Sequence, residues 1–399
     1  MLSGQSILCF GPSDWWGMNP SCTTHIMRHL ARENRVLYVN PFSSDLLAGV
    51  GKERRRGLAS RIGRKARSVL KWLRRPQKNL HVFSPLFVPI QGRPFFDRLN
   101  NGLLRMQLGL VSRALLSPRP ILWVENIRAA DMMEWFNPRL VLYHVSDLFA
   151  SDSYSTGAEV RRQREEKITR RSDLIVCVSR RLYEMKKAVR NEVSYLPHGV
   201  DYDRFRAAAE RAEPFEPIRD VRRPIAGYFG TMTAHNDIDL LVYCATHLQH
   251  VSFVLAGQIT GGDYSELMRL PNVRLLGRVP YEKIPALCAS FDVCMLQWKV
   301  SEWIRCCNPL KLFEYMASGR PIVSVEIDEA TQYGDVVSIA TSKEQFCDRL
   351  AWELQNDTSE RRQRRLEIAR HHSWEGHIET LSSWIEERLA AGSRCESRC

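Results

Sequence analysis

Nowhere in this chain of 399 residues does an apolar run approach the ~20 residues that a membrane-spanning helix needs. A basic start followed by an apolar stretch is also missing from the opening Met1-Leu-Ser-Gly-Gln-Ser-Ile, so no secretory leader is expected. The eleven cysteines form no Cys-x-x-Cys pair and no Cys/His zinc spacing, which argues for buried, reduced thiols in a cytoplasmic protein. Glycines occur without a Gly-x-Gly-x-x-Gly fingerprint, so a nicotinamide or flavin enzyme is not expected. The length leaves room for two ordinary domains with full cores.

Positive charge is what the chain has in excess. Its formal net charge is +12, and residues 52–75 hold eleven Lys/Arg against a single acid, Glu53. Leu58, Ile62, Val69, Leu70, Trp72 and Leu73 are interleaved with them. Such a segment can rest on anionic lipid, its apolar side chains inserted and its charges at the headgroups. It could also track a nucleic-acid backbone, but no base-reading module accompanies it, so a membrane surface is the expected partner and nucleic acid is not. A solvated segment without any partner is the plain alternative.

Short apolar runs alternate with helical spacing through both halves, which is the pattern of an α/β protein with parallel sheets. Ser6–Phe10, a helix from Thr23 and Arg35–Val39 open the first half, with Asp14 and Trp16 in the first loop. The run Arg139–Val145 ends next to Asp147, at a strand's carboxyl end, where chemistry gathers in open α/β sheets. A carboxylate there can take a proton from an attacking hydroxyl or cap the following turn; position alone leaves both open. Residues 202–222, rich in charge, alanine and proline, read as a linker. The second half restarts at Pro224, and Gly227 and Gly230 would let backbone approach a phosphate.

The most informative stretch is Asp292–Trp298, a loop, then Asn308–Ser324, read as strand, loop, helix, turn, strand. Asn308 can cap the helix, Pro309 suits its first turn, and Gly319 with Pro321 can end it. The free N–H groups and positive dipole end would face a diphosphate, with the Lys311 ammonium beside it. Glu314, three residues on, can accept hydrogen bonds from ribose or sugar hydroxyls. An ordinary solvated Lys/Glu pair is the bland alternative.

Asn308, Pro309, Lys311, Glu314, Tyr315, Ala317, Gly319 and Pro321 together resemble the donor-binding helix of GT-B glycosyltransferases. Tyr143–Asp147 resembles the Tyr-x-x-Ser-Asp segment of the membrane-associated xanthan-type glucuronosyltransferases, and Pro197–Asp201 the GT-B interdomain junction. The resemblance implies two Rossmann-like domains with parallel sheets facing across a cleft, and a C-terminal helix crossing back to the first. It places the domains at 1–201 (acceptor), 223–371 (donor) and 372–399 (returning helix). It implies transfer from a nucleotide-diphosphate sugar to a hydroxyl of a saccharide acceptor, expected to be lipid-linked, at the inner face of the plasma membrane. Asp147 would be the base; Gly230, Thr231, Arg305, Asn308, Lys311 and Glu314 would hold the donor; Asp14, Trp16, His144 and His198 would line the acceptor side. No cofactor and no metal are expected, since Lys311, Arg305 and the helix end would offset the leaving group's charge. Many retaining relatives carry a Glu eight residues before the position of Glu314; here it is Cys306, which favours inversion. A sugar-nucleotide epimerase of the same architecture, or a non-catalytic basic binding protein, would be the alternatives.

Overall fold

The computed structural model describes residues 1–17, 20–41, 71–88, 94–149, 158–211 and 213–396, which fall into two compact units. The first takes in the chain to Val178, Leu182–Leu196 and the residues from Ile378 onward; the second comprises Ser179–Arg181 and Pro197–His377.

The first unit is built on β1 (Ser6–Phe10), β2 (Arg35–Val39), β3 (Leu73–Gln77), β4 (Leu80–Phe83), β5 (Ile121–Val124), β6 (Leu140–Val145), β7 (Leu174–Cys177) and β8 (Val193–Tyr195). Their order is β3-β4-β2-β1-β5-β6-β7-β8. Every pairing is parallel except β3 with β4, an antiparallel edge. The central strands are apolar and buried from end to end, as strands covered on both faces must be. The first crossover helix, Cys22–Leu30, starts at a capping box between Ser21 and Thr24.

The second unit has six parallel strands: β9 (Ile225–Phe229), β10 (Ser252–Ala256), β11 (Val273–Gly277), β12 (Val293–Leu296), β13 (Ile322–Val325) and β14 (Val337–Ala340). Their order is β11-β10-β9-β12-β13-β14. The direction of winding reverses between β9 and β12, so their carboxyl ends open a crevice at the topological switch point. The corresponding point of the first sheet lies between β1 and β5.

One expectation needs correction here. The presumed linker is structured: Tyr202–Arg211 is a helix, and Glu216–Ile218 a short 3-10 turn. Phe205, Ala208 and Ala209 stand at i, i+3 and i+4, a narrow apolar stripe hidden among charges, with Asp203 and Arg211 suited to the helix dipole. Phe205 is fully buried, and the two alanines pack on Ala289. The charge-dense helix Ser359–His371 was not legible at all, because its stripe of Leu366, Ile368 and Ala369 includes Arg365, which is buried and donates to the carbonyl of Gly319 at 3.0 Å.

Of the basic segment, residues 52–70 lie outside the described residues; Leu73–Gln77 is the exposed edge strand. Among the described residues, no helix is long and apolar enough to cross a membrane.

Phe205→Ala should cost about 3 kcal/mol or more, as emptied aromatic sites do, if the helix is an integral part of the second unit. A urea midpoint within error of wild type would return residues 202–211 to linker status.

Candidate donor site and acceptor-side residues

At the switch point of the second sheet, β9 ends in Phe229 and the chain turns through Gly230, whose φ of +138° side chains rarely adopt. Gly230 N donates to the carbonyl of Ala256 at 2.9 Å, tying the turn to the end of β10. A Cβ on Gly230 would sit 2.8 Å from Cε and 2.9 Å from Nζ of Lys311. The glycine therefore makes the space in which the ammonium lies. That ammonium is 4.8 Å from the ring centre of Trp298 and 5.2 Å from that of Tyr228, a cation–π setting. It forms no ion pair among the described residues. Thr231 follows on the exposed side of the turn. Gly227, by contrast, is inside β9, and its missing Cβ makes room for the Phe291 ring rather than for a phosphate.

Lys311 belongs to the helix Leu310–Ala317, one residue later in its start than expected. Pro309 occupies the N-cap position with no side-chain bond, so Asn308 is not the cap. Instead Asn308 is buried and its Nδ2 reaches Oε2 of Glu329 at 3.3 Å, while Arg180 N donates to the other oxygen at 2.6 Å. The helix ends as expected, with Gly319 at φ +69°.

One turn along the same helix, Glu314 is 6% exposed and accepts a hydrogen bond from the Tyr281 hydroxyl at 3.1 Å. Burial pushes its carboxyl up to about 7; Lys311 and the Tyr281 bond pull the other way without prevailing. Near neutral pH this group can either accept or donate a hydrogen bond. Tyr281 was missed by sequence reading, and so was the role of Trp298, because both arrive through long-range packing. Gln297, fully buried at the end of β12, is another: neither of its side-chain polar atoms has a partner among the described residues.

The loop after β12 contains a single helical turn, Glu302–Arg305, capped by Ser301. Arg305 is engaged by Asp328 at 3.2 Å and Glu326 at 3.5 Å, and Arg181 bridges Glu302 at 2.8 Å and Asp328 at 3.3 Å. A phosphate would have to win Arg305 from two carboxylates, though such half-exposed pairs are individually weak.

In the first unit, Asp14 closes a tight turn after β1: its Oδ1 accepts from Trp16 N at 3.0 Å and its carbonyl from Gly17 N at 2.8 Å. The Lys71 ammonium sits 4.2 Å from the Trp16 ring centre. His144 is buried in β6, with Nδ1 3.2 Å from Oε2 of Glu125 and its ring edge-on to Trp123. Glu125, which also accepts from the Thr23 hydroxyl, is a buried acid at the end of β5 that sequence reading passed over. Asp147 lies just past β6, half-buried, accepting from Leu148 N at 2.8 Å. Asp147 thus sits at the carboxyl end of β6, bonded to the N–H of the next residue. His198, buried in the second unit, precedes Gly199, where a Cβ would be 2.5 Å from the Trp374 ring. Two Asp-x-Asp triplets occur, Asp201–Asp203 and Asp237–Asp239, and Asp237 caps the helix Ile238–His247.

Gly230→Ala should displace Lys311 and weaken binding of a nucleoside diphosphate roughly tenfold. Unchanged affinity by calorimetry would separate the turn from the lysine. A second expectation concerns pH. The unfolded Glu314 carboxyl ionises near 4.5 while the folded one stays protonated to about 7. Stability from this group is thus fully present below 4.5 and falls by about 3 kcal/mol as pH rises to 7. Glu314→Gln should lack that fall in urea titrations at the two pH values; an identical pH slope in variant and wild type would contradict it.

Comparison with known proteins agrees with this architecture. Residues 223–356 match the family model described as glycosyl transferases group 1. TuaH of Bacillus subtilis, named as a teichuronic acid biosynthesis glycosyltransferase, is 31% identical over 207 residues, covering 48% of this chain and 52% of that one. The matched region thus spans about half the length of this relative. Anabaena HepE, solved with UDP and glucose, superposes with a TM-score of 0.65 at 12% identity, over 98% of this chain and 100% of that one. Sucrose-phosphate synthase of Thermosynechococcus elongatus gives 0.69 at 13% identity, over 97% and 100%. Residues 223–356 thus resemble a group 1 glycosyl transferase domain, and the chain shares the two-sheet GT-B fold of these solved structures.

Proposed function

We propose that this chain is a glycosyltransferase that moves a sugar from a nucleotide-diphosphate donor to a hydroxyl of a saccharide acceptor in polysaccharide assembly. The observation that carries the reading is the Lys311 ammonium lodged against the Gly230 turn, with the buried carboxyl of Glu314 one turn further along the same helix. A diphosphate at that turn meets a full positive charge and the amino end of a helix. Glu314, with its pKa near 7, suits a ribose or sugar hydroxyl, to which it can serve as donor or acceptor. The relatives support the class of substrate: HepE was solved with UDP, and TuaH is named for teichuronic acid biosynthesis.

In the reaction, Asp147 takes the proton of the acceptor hydroxyl. That oxygen attacks the anomeric carbon while the bond from this carbon to the diphosphate breaks, inverting the centre in one displacement. Lys311 and the helix end stabilise the charge growing on the departing diphosphate, without a metal. Arg305 joins them once the phosphate displaces Asp328 and Glu326. Asp14, Trp16, His144 and His198 serve the acceptor side, with His144 held in position by Glu125. Residues 52–75 keep the protein on an anionic membrane, which suits a lipid-linked acceptor.

Thermal melting against a panel of nucleoside diphosphates, with and without magnesium, tests the donor half of this reading, because a ligand that binds the folded state raises the melting temperature. One nucleotide should give a clear, metal-independent shift; no shift with any of them would remove the donor assignment. Asp147→Asn should keep that shift and lower transfer by about a thousandfold or more. Wild-type turnover in the variant would take the base role from Asp147.

A further inference from the structure

The helix Pro94–Leu115 of the first unit is apolar on two sides. Its inner face buries Leu104, Leu108 and Val111, and Asn100 and Gln107 clamp the backbone of Val88 and Leu86 with hydrogen bonds of 2.7–3.0 Å. Its packing needs inside the fold are met there. On the outer face Phe95 is 71% exposed, Leu99 39%, Met106 56% and Leu110 63%. These four recur at helical spacing on one side, where a water-facing helix should be polar.

Two glycines share that outer face, Gly102 and Gly109. Glycine inside a helix is destabilising relative to alanine, and a close approach within the protein does not explain either one. A Cβ at Gly102 or Gly109 would meet nothing within 4 Å. They leave open a groove of about 450 Å³ between the helix and the residues Trp135 and Phe136. Met106 and Leu110 line it, and Arg105 and Arg113 stand at its rim.

Charge decides what fits. Arg98, Arg105 and Arg113 are exposed and form no ion pair among the described residues, and the helix has a single acid in its sequence, Asp97. A second copy of this chain would set arginine against arginine. A neutral apolar partner would leave the arginines unanswered. A phospholipid layer answers both features at once: acyl chains for the apolar side chains and phosphates for the guanidinium groups.

The geometry points to this helix face and its groove as a docking surface for an anionic bilayer. The helix lies flat at the headgroup level with Phe95, Leu99, Met106 and Leu110 inserted, and Arg105 and Arg113 hold lipid phosphates at the groove rim. This adds a second contact, distinct from residues 52–75, to the membrane part of the proposed function, and it does not depend on the donor assignment.

The test is co-sedimentation of the full chain with vesicles of phosphatidylcholine alone or of equal parts phosphatidylcholine and phosphatidylglycerol. Wild type should bind the anionic vesicles and lose binding at high salt. The double variant Met106→Glu/Leu110→Glu alters only exposed side chains, so it should melt like wild type and keep its shift with nucleotide. It should bind anionic vesicles roughly tenfold or more weakly. Arg105→Ala/Arg113→Ala should weaken the preference for anionic over neutral vesicles. Undiminished vesicle binding by the folded Glu variant would overturn the proposal and leave residues 52–75 as the contact. A wild-type dimer in sedimentation that the Glu variant dissolves would also overturn it, assigning the face to a second copy. Loss of nucleotide shift with vesicle binding intact would instead strike the donor reading alone.

Discussion

The absence of a single methyl group organises the second unit. Because residue 230 has no Cβ, the end of β9 and the side chain of Lys311 occupy neighbouring space, and an ammonium that would otherwise wander in solvent is fixed at the mouth of the switch point. The Trp298 and Tyr228 rings flank the same ammonium, so its position is set by packing at the ends of two strands, β9 and β12, and not by a salt bridge. Charge held without a carboxylate partner is charge available to a ligand. The parallel sheet makes this possible, since the winding reversal between β9 and β12 leaves their carboxyl ends uncovered.

Electrostatics divides the cationic groups around this crevice. Lys311 is unpaired among the described residues, whereas Arg181 and Arg305 are shared among Glu302, Glu326 and Asp328. The two classes would therefore answer a phosphate differently, the lysine by simple approach and the arginine by exchange of partners. Glu314 is a third case. Its burial beside Tyr281 raises its proton affinity enough that it does not simply repel a diphosphate one helical turn away. An exposed glutamate at the same sequence position would behave otherwise.

The first unit carries its own polar cluster at an equivalent place. Thr23, Glu125 and His144 converge from a helix start and the ends of β5 and β6, all buried. Here His144 is buried and tied to Glu125, and Asp147 lies on the more open backbone past the strand. The outward apolar face of Pro94–Leu115 shows the converse economy: its inner face is complete, so the outer residues answer to something other than the fold.

How much of this was legible depended on the range of the interactions. The strand–helix–strand run through 292–324 was readable because turn chemistry and periodicity are local, and Gly319 ends its helix where local rules put it. The strands β1, β2, β9, β10, β12 and β13 were readable for the same reason: a strand buried on both faces is largely apolar. The helix Tyr202–Arg211 was hidden because its buried stripe is only three residues among charges, and a short stripe gains meaning only from the neighbour it packs on. Asn308 read as a cap, yet Glu329, twenty-one residues on, takes its amide. Local pattern was enough to show the parallel α/β architecture and the helix that carries Lys311 and Glu314. Long-range packing alone rests Lys311 against Gly230, buries Glu314 beside Tyr281 and ties His144 to Glu125. Burial and proximity across distant strands set those outcomes, and neither quantity is written in any local pattern of residues.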